Sequence, residues 1–284
     1  MRICRVHDFG PVEALEVGWS PIGRPIMTAF CFRAGPVMVD TGIRHTEREV
    51  INWALESRPD LALLTHHHED HSGNGAALRR TFGMPVYAHP ETVRRLRTGF
   101  SIRPYQHVIW GRAESFEVTA LQGGLDLGRW KIVPIHTPGH SPDHTVYWVP
   151  EEGWLFSGDL YLGDHIKFFR ADERIDQQMS SIRKILDLDF EALWCGHRPR
   201  PREGKRHLAS KLAYLEDVYG KVARLWAEGL PVPKIMRELG LKEAWPVWCF
   251  TLGDAGMRNL VGSVVRAEEE KGSGRASREV NVAT

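Results

Sequence analysis

The sequence predicts an α/β protein with a helical region appended at its C-terminal end. Three observations carry this. Short apolar, β-prone runs alternate with segments of helical period through about the first 200 residues. Each of several such runs opens directly into a polar cluster rich in His, Asp or Gly. Beyond these, strand-like runs cease and only helical spacing remains.

The elements follow in order. Met27 to Phe32 is apolar, Gly35-Pro36 turns the chain, and Val37-Met38-Val39 runs into Asp40-Thr41-Gly42, which reads as a hairpin ending at Asp40. Helical spacing from Thr46 to Leu55 places Val50, Trp53 and Ala54 on a buried stripe. Leu61 to Leu64 fits a buried strand that opens at Thr65 into HHHEDHSGNG. Ser72 or Asn74 is expected to cap a helix reaching Phe82. Val86 to Ala88 is a short strand, and Pro90 to Arg97 starts a helix. Glu114 to Pro134 reads as strand-like around a Gly123-Gly124 break, and Ile132 to Ile135 leads into HTPGHSPDH. Thr145–Val149 and Trp154–Phe156 form a hairpin ending at Ser157-Gly158-Asp159. A helix from Ile175 to Leu186 precedes a strand, Ala192 to Cys195, that ends at Gly196-His197. Leu208, Leu212, Leu215, Val218, Val222 and Leu225 mark a long amphipathic helix over Lys205 to Ala227. Shorter helices are expected at Pro233–Leu239 and Asp254–Ala267. The domains are expected at 1–203, a helical region at 204–270 and a flexible tail at 271–284.

Composition excludes several classes. Lys and Arg total 37 against 36 Asp and Glu, so the chain does not grip a phosphate backbone by bulk charge. No stretch approaches the roughly 20 apolar residues of a membrane span. The opening MRICRVHDFG has no apolar signal segment. Cys4, Cys31, Cys195 and Cys249 stand far apart, which suits a reducing compartment, so the expectation is a cytoplasmic protein.

What remains conspicuous is 14 histidines, several of them clustered. His66, His68, Asp70 and His71 form H-x-H-x-D-H. In an extended loop His66 and His68 face one point, while Asp70 and His71 serve a second. His140 in TPGH, Asp159 in SGD and His197 in CGH each follow a strand, where open α/β sheets carry their ligands. Imidazole and carboxylate suit a divalent metal without thiolate. Seven candidate ligands make two sites if Asp159 is shared, as in centres with two metals about 3.5–4 Å apart. His67, between two ligands, is expected to point the opposite way.

With VDTG, THHHEDHSG, TPGHS, SGD and GH in this order, the sequence resembles the metallo-β-lactamase-fold hydrolases, on the branch of glyoxalase II-like thioesterases and lactonases. The resemblance runs from Ile26 to His197 and implies an αββα sandwich with a dinuclear centre at one edge. It implies that His66, His68 and His140 hold one metal, that Asp70, His71 and His197 hold the other, and that Asp159 bridges. Asp40 and His144 would orient ligands from behind. Two divalent ions are implied, zinc in the first place, with iron and manganese served by the same donors. A bridging hydroxide would cleave a thioester or lactone of a small-molecule substrate, with Asp70 orienting it.

Members with zinc β-lactamase activity carry Cys where Asp159 stands, which disfavours that activity. Lactonases of the family carry a Tyr shortly after the shared Asp, and Tyr161 lies nearby. His165 and Lys167 fall where a substrate loop would lie. Lys205, Arg206 and Lys211 are basic residues in the region where glyoxalase II reads glutathione, although no glutathione signature aligns. Rival readings are a phosphodiesterase or nuclease on the same scaffold, an iron-dependent persulfide dioxygenase, and a non-catalytic binding protein. The near-neutral charge weighs against nucleic acid, despite the basic run Arg198, Arg200, Arg202. Trp245, Val247 and Trp248 offer a dimer face or a pocket wall.

Overall fold

The computed structural model describes residues 1–282, with side chains to residue 273 apart from that of Ser57. The chain builds two sheets and covers each with helices. The first sheet takes β1 (Arg2–Asp8), β2 (Val12–Trp19), β3 (Ala29–Ala34) and β4 (Val37–Val39) as an antiparallel meander. After α1 (Glu47–Ser57), β5 (Leu61–Leu64) joins parallel to β4. Two short helices follow, α2 (Glu69–Ser72) and α3 (Gly75–Phe82). β6 (Val86–Ala88), α4 (Pro90–Thr98), α5 (Pro104–Ile109) and β7 (Thr119–Ala120) complete a seven-stranded sheet in sequential order.

The second sheet holds β8 (Leu125–Asp126), β9 (Lys131–His136), β10 (Thr145–Val149) and β11 (Trp154–Gly158), then α6 (Ile175–Leu186) and β12 (Ala192–Cys195) parallel to β11. α7 (Gly204–Ala227), α8 (Val232–Glu238), α9 (Trp245–Phe250) and α10 (Met257–Val282) follow.

Strand alternation assigns the layers. Phe30, Phe32, Val39 and Leu63 of the first sheet face Ile132, Tyr147, Phe156 and Trp194 of the second across an apolar interface. The alternate residues Cys31, Met38, Ala62 and Leu64 face outward onto Val50, Trp53 and Leu78 of the first helical layer. Val146, Leu155 and Leu193 face outward onto α6, α7 and α10 through Ile182, Leu208, Leu215, Val222 and Leu260. Each fully buried Leu or Phe here contributes roughly 1.5–3 kcal/mol relative to exposure. The result is an αββα sandwich, and the C-terminal helices share one apolar cluster with its second sheet.

Several expectations need correction. β1 and β2 are missing from the sequence reading; β1 is a largely exposed edge strand, and its few apolar residues, Ile3, Cys4 and Val6, fall on both faces with no buried stripe to announce it. The expected strand-like stretch from Glu114 yields only the two-residue β7 and β8 before β9, because irregular backbone occupies most of it. Asn74 stands at the start of α3 but does not cap it; its Nδ2 donates to the carbonyls of Thr41 and Ile43 and staples two loops instead. The backbone of α10 runs as far as Val282, and Lys271 Nζ donates to Tyr219 of α7. Residues 283 and 284 of the expected tail lie outside the described residues. Among the described residues no helix is long and apolar enough to cross a membrane.

Candidate metal centre

Five loops meet at one edge of the sandwich, each leaving the C-terminal end of a strand. β4 delivers Asp40, β5 delivers His66 to His71, β9 delivers His140, β11 delivers Asp159 and β12 delivers His197. The residues singled out by spacing converge. Ligand-capable atoms of His66, His68 and His140 lie within 4.8 Å of one another; so do those of His66, His71 and Asp159, and those of Asp70, His71 and His197.

His66 Nε2 stands 2.9 Å from His68 Nδ1, and His140 Nε2 stands 3.1 Å from the same atom. His140 Nε2 is 3.3 Å from Asp159 Oδ2. Across the carboxylate, Asp159 Oδ1 is 3.2 Å from His71 Nε2 and 3.4 Å from His197 Nε2. His197 Nε2 is 3.3 Å from Asp70 Oδ2. A tetrahedral ion with bonds of about 2.0–2.1 Å spaces its ligand atoms about 3.3 Å apart. The donor set therefore has the span of two such shells sharing Asp159. A second observation agrees: His71 Nε2 and Asp159 Oδ1 are buried without a hydrogen-bond partner, although they lie close together. Atoms this near that do not bond to each other fit joint ligation of a cation.

The far side of each ring fixes which nitrogen is free. His71 Nδ1 donates to Asp40 Oδ2 at 2.7 Å, His197 Nδ1 donates to the Thr28 carbonyl at 2.6 Å, and His66 Nδ1 donates to Thr65 Oγ1 at 3.0 Å. Thr65 can accept because its own hydroxyl and amide donate to Asp40. In all three rings Nε2 is left to face the centre. His140 turns Nδ1 toward Glu173 Oε1, 3.2 Å away. Asp40 holds this position with a left-handed φ of 60°, a conformation Asp tolerates better than most residues. His144 accepts from the Asp159 amide through Nε2 at 3.0 Å and donates from Nδ1 to Thr137 Oγ1. Burial, reinforced by His140, pushes it down to about 3, so it stays neutral and keeps that lone pair. Asp40 and His144 thus both stand behind ligand candidates.

Burial also lowers His66 and His68 well below the ordinary imidazole range, leaving neutral rings with lone pairs to offer. His71 and His197 go the other way: burial opposes their protonation, but Asp159 and Asp70, joined by Asp40 for His71, outweigh it. Those carboxylates demand positive charge at this point, from protons or from a cation. For Asp70, burial works to raise the carboxyl, and His71 and His197 overcome it, holding it below the usual range.

Small residues admit this crowding. A Cβ on Gly196 would strike the His71 ring and approach Asp159 Oδ1 to 3.2 Å. A Cβ on Gly158 would come within 2.8 Å of His144 Nε2 and of Thr65.

Other sequence candidates lie apart. Tyr161 is buried in the apolar cluster of the second sheet; its hydroxyl donates to Asp164 and accepts from Arg200 Nε, and it joins none of the three ligand groups. His165 is exposed and its ring meets Tyr214, and Lys167 is exposed. Lys205 bonds the Leu188 carbonyl, Arg206 pairs with Glu203, and Lys211 is buried, so this set does not form an open basic patch. The Trp110 ring stands 6.5 Å from that of His197.

His67 points away, as alternation predicts, and its amide and Nδ1 both donate to Asp143, which also accepts from Thr92. Sequence reasoning missed Asp143, Thr65 and Glu173. Asp143 lies inside the HTPGHSPDH block and Thr65 directly precedes His66, so both had a positional signal; Glu173 had none.

This fold and this centre define a class. The family model of the metallo-beta-lactamase superfamily matches residues 32–197, more than half of the chain, and the chain belongs to that superfamily. Among curated relatives, it is 34% identical to a hydroxyacylglutathione hydrolase of Bdellovibrio bacteriovorus over 52% of this chain and 53% of that one. It is 43% identical to the beta-lactamase-like protein 2 homolog of Caenorhabditis elegans over 58% and 53%, and 31% identical to the probable metallo-hydrolase YybB of Bacillus subtilis over 57% and 72%. The chain thus spans about half the length of several curated relatives it matches. Of solved structures, a metallo-beta-lactamase from Pontibacter korlensis superposes with a TM-score of 0.59 at 17% identity, over 76% of this chain and 100% of that one. A flavo di-iron protein variant from Thermotoga maritima superposes with a TM-score of 0.58 at 18% identity, over 78% and 62%. At such identities these structures speak for the fold alone.

Proposed function

We propose that this protein is a metal-dependent hydrolase of a thioester or lactone. His66, His68 and His140 would hold one divalent ion, zinc in the first place, Asp70, His71 and His197 a second, and Asp159 both. The observation that carries the reading is the pair of buried, unpartnered atoms His71 Nε2 and Asp159 Oδ1 inside a set of seven converging donors. When bound, such ions polarise a carbonyl and bring the pKa of a coordinated water to about 7.

The residues of the chain supply the remainder. Asp70, ionised and 3.3 Å from His197 Nε2, is placed to orient an attacking water and to receive its proton at a carboxylate oxygen. Asp40, Thr28 and Thr65 hold His71, His197 and His66 in the tautomer that turns Nε2 inward. Glu173 behind His140 and His144 behind Asp159 keep the shared side of the centre in register. Trp110 offers an apolar wall beside His197 for the acyl part of a substrate.

The test is metal analysis of the purified chain together with a substrate panel. Two ions per chain, reduced in Asp159→Asn, with turnover of thioesters or lactones lost on chelation and restored by metal, are the expected results. Full activity after chelation overturns the reading. Turnover of bis-p-nitrophenyl phosphate with none of any thioester or lactone moves the protein to phosphodiester chemistry, and oxygen uptake with a persulfide moves it to an oxygenase.

A further inference from the structure

A buried ammonium is costly unless its charge and its N–H groups are used. Lys211 is 1% exposed. It lies on the same face of α7 as Leu208 and Leu215, both fully buried in the apolar cluster that joins the C-terminal helices to the second sheet. A methionine of similar length would fill this position at far lower cost.

The place where the ammonium ends is informative. Nζ donates to the Leu160 carbonyl at 2.7 Å. Leu160 directly follows Asp159 in the turn that leaves β11. The Leu160 amide closes that turn on the Ser157 carbonyl at 3.0 Å, and the Asp159 amide donates to His144. With Lys211 the turn is pinned at three points, by β11, by His144 and by α7. The negative charges of Glu173 and Asp159 favour the ammonium against its burial. Glu173 is the carboxylate behind His140. One side chain of the C-terminal region therefore holds the peptide that carries Asp159.

We infer that Lys211 is a positioning residue of the metal centre: its ammonium clamps the turn that presents Asp159 and makes α7 part of the centre. The inference rests on the reading above that Asp159 is a shared ligand. It also gives the C-terminal helices a role beyond covering the second sheet, since a chain cut before α7 would lose one of the three pins.

The experiment compares full-length wild type, Lys211→Met and Lys211→Gln, with Lys221→Met on the exposed face of the same helix as control. The readouts are zinc affinity by competition with a chromophoric chelator and the absorption spectrum of the cobalt-substituted protein, alongside melting of the metal-free chain. Lys211→Met removes the clamp, and the expected result is zinc binding about 10–100-fold weaker, as for other supporting partners of metal ligands. An altered cobalt spectrum and a metal-free melting temperature no lower than wild type should accompany it. Lys211→Gln retains an N–H donor without charge and should recover most of the affinity. Lys221→Met should match wild type. Lys211→Met with affinity within twofold of wild type and an unchanged cobalt spectrum overturns the inference while the hydrolase reading stands. If Lys211→Met does not fold, Lys211→Gln is read alone, and failure of both to fold also overturns it, because the lysine is then a stability element. A wild-type chain that binds no zinc and no cobalt overturns the hydrolase reading and this inference together.

Discussion

Asp143 offers the sharpest test of how the histidine loop is held. Its carboxylate is fully buried and accepts from the His67 amide at 2.9 Å, His67 Nδ1 at 2.8 Å and Thr92 Oγ1 at 2.8 Å. Asp143→Ala leaves the two His67 donors without a partner, while the Thr92 hydroxyl can rotate. A buried donor left unsatisfied costs about 1–3 kcal/mol, so the pair should cost about 4 kcal/mol. At about 2–4 °C per kcal/mol for a chain of this size, melting should fall by about 8–16 °C. Asp143→Asn keeps an acceptor for the His67 amide and should lose about half as much. Because His67 stands between His66 and His68, zinc affinity should also fall by about 10–100-fold in the alanine variant. The pH dependence has a definite sign. Burial pushes the Asp143 carboxyl up, but the bonds from His67 and Thr92 prevail and hold it well below the usual range. A lowered carboxyl contributes stability that is present above its unfolded pKa, about 3.9, and fades as pH falls below it. The gap in melting temperature between wild type and Asp143→Ala should therefore narrow in acid. Calorimetry of metal-loaded and metal-stripped protein at pH 7 and pH 3.5 measures both effects. A change under 2 °C at pH 7 with zinc binding intact would refute the argument.

Two further predictions concern the centre and the residue beneath it. Gly196→Ala should displace the His71 ring and reduce metal content below that of wild type while far-ultraviolet circular dichroism stays unchanged; full metal content would show that the crowding at Gly196 is relieved without cost. Burial brings Lys211 down to about 8 from an ordinary 10.5, against the pull of Glu173, Cys195 and Asp159, so between these values the unfolded chain binds more protons and stability rises with pH. The stability deficit of wild type relative to Lys211→Met should shrink by up to about 3 kcal/mol from pH 8 to pH 10.5, read from urea unfolding of the metal-free proteins, and a constant difference would contradict the burial of a charged ammonium.

Much of the molecule is legible in the sequence. Residues two apart in an extended loop project to one side, so H-x-H-x-D-H announces a shared focus before any tertiary contact is known. The near-continuous apolar runs Met27 to Phe32 and Leu61 to Leu64 announce buried strands, and the leucine stripe of α7 assigns its buried side. An edge strand such as β1 lacks such a run because most of its side chains meet water.

The placement of supporting groups belongs to tertiary structure. Asp143 meets His67 across 76 residues, Lys211 meets Leu160 across 51, and the Thr28 carbonyl meets His197 across 169. No local pattern marks such partners, because any buried polar atom within reach would satisfy the same donor. Tyr161 shows the converse: two residues from Asp159 in the chain, it turns its hydroxyl to Asp164 and Arg200, and its ring packs into the apolar cluster of the second sheet. The sequence by itself determined which residue types can bind a cation and that they fall at strand ends. Only the packing of the two sheets face to face decided that seven of them share one space, because the distances between strands far apart in the chain are set by the core the sheets enclose and by the helical layers outside them.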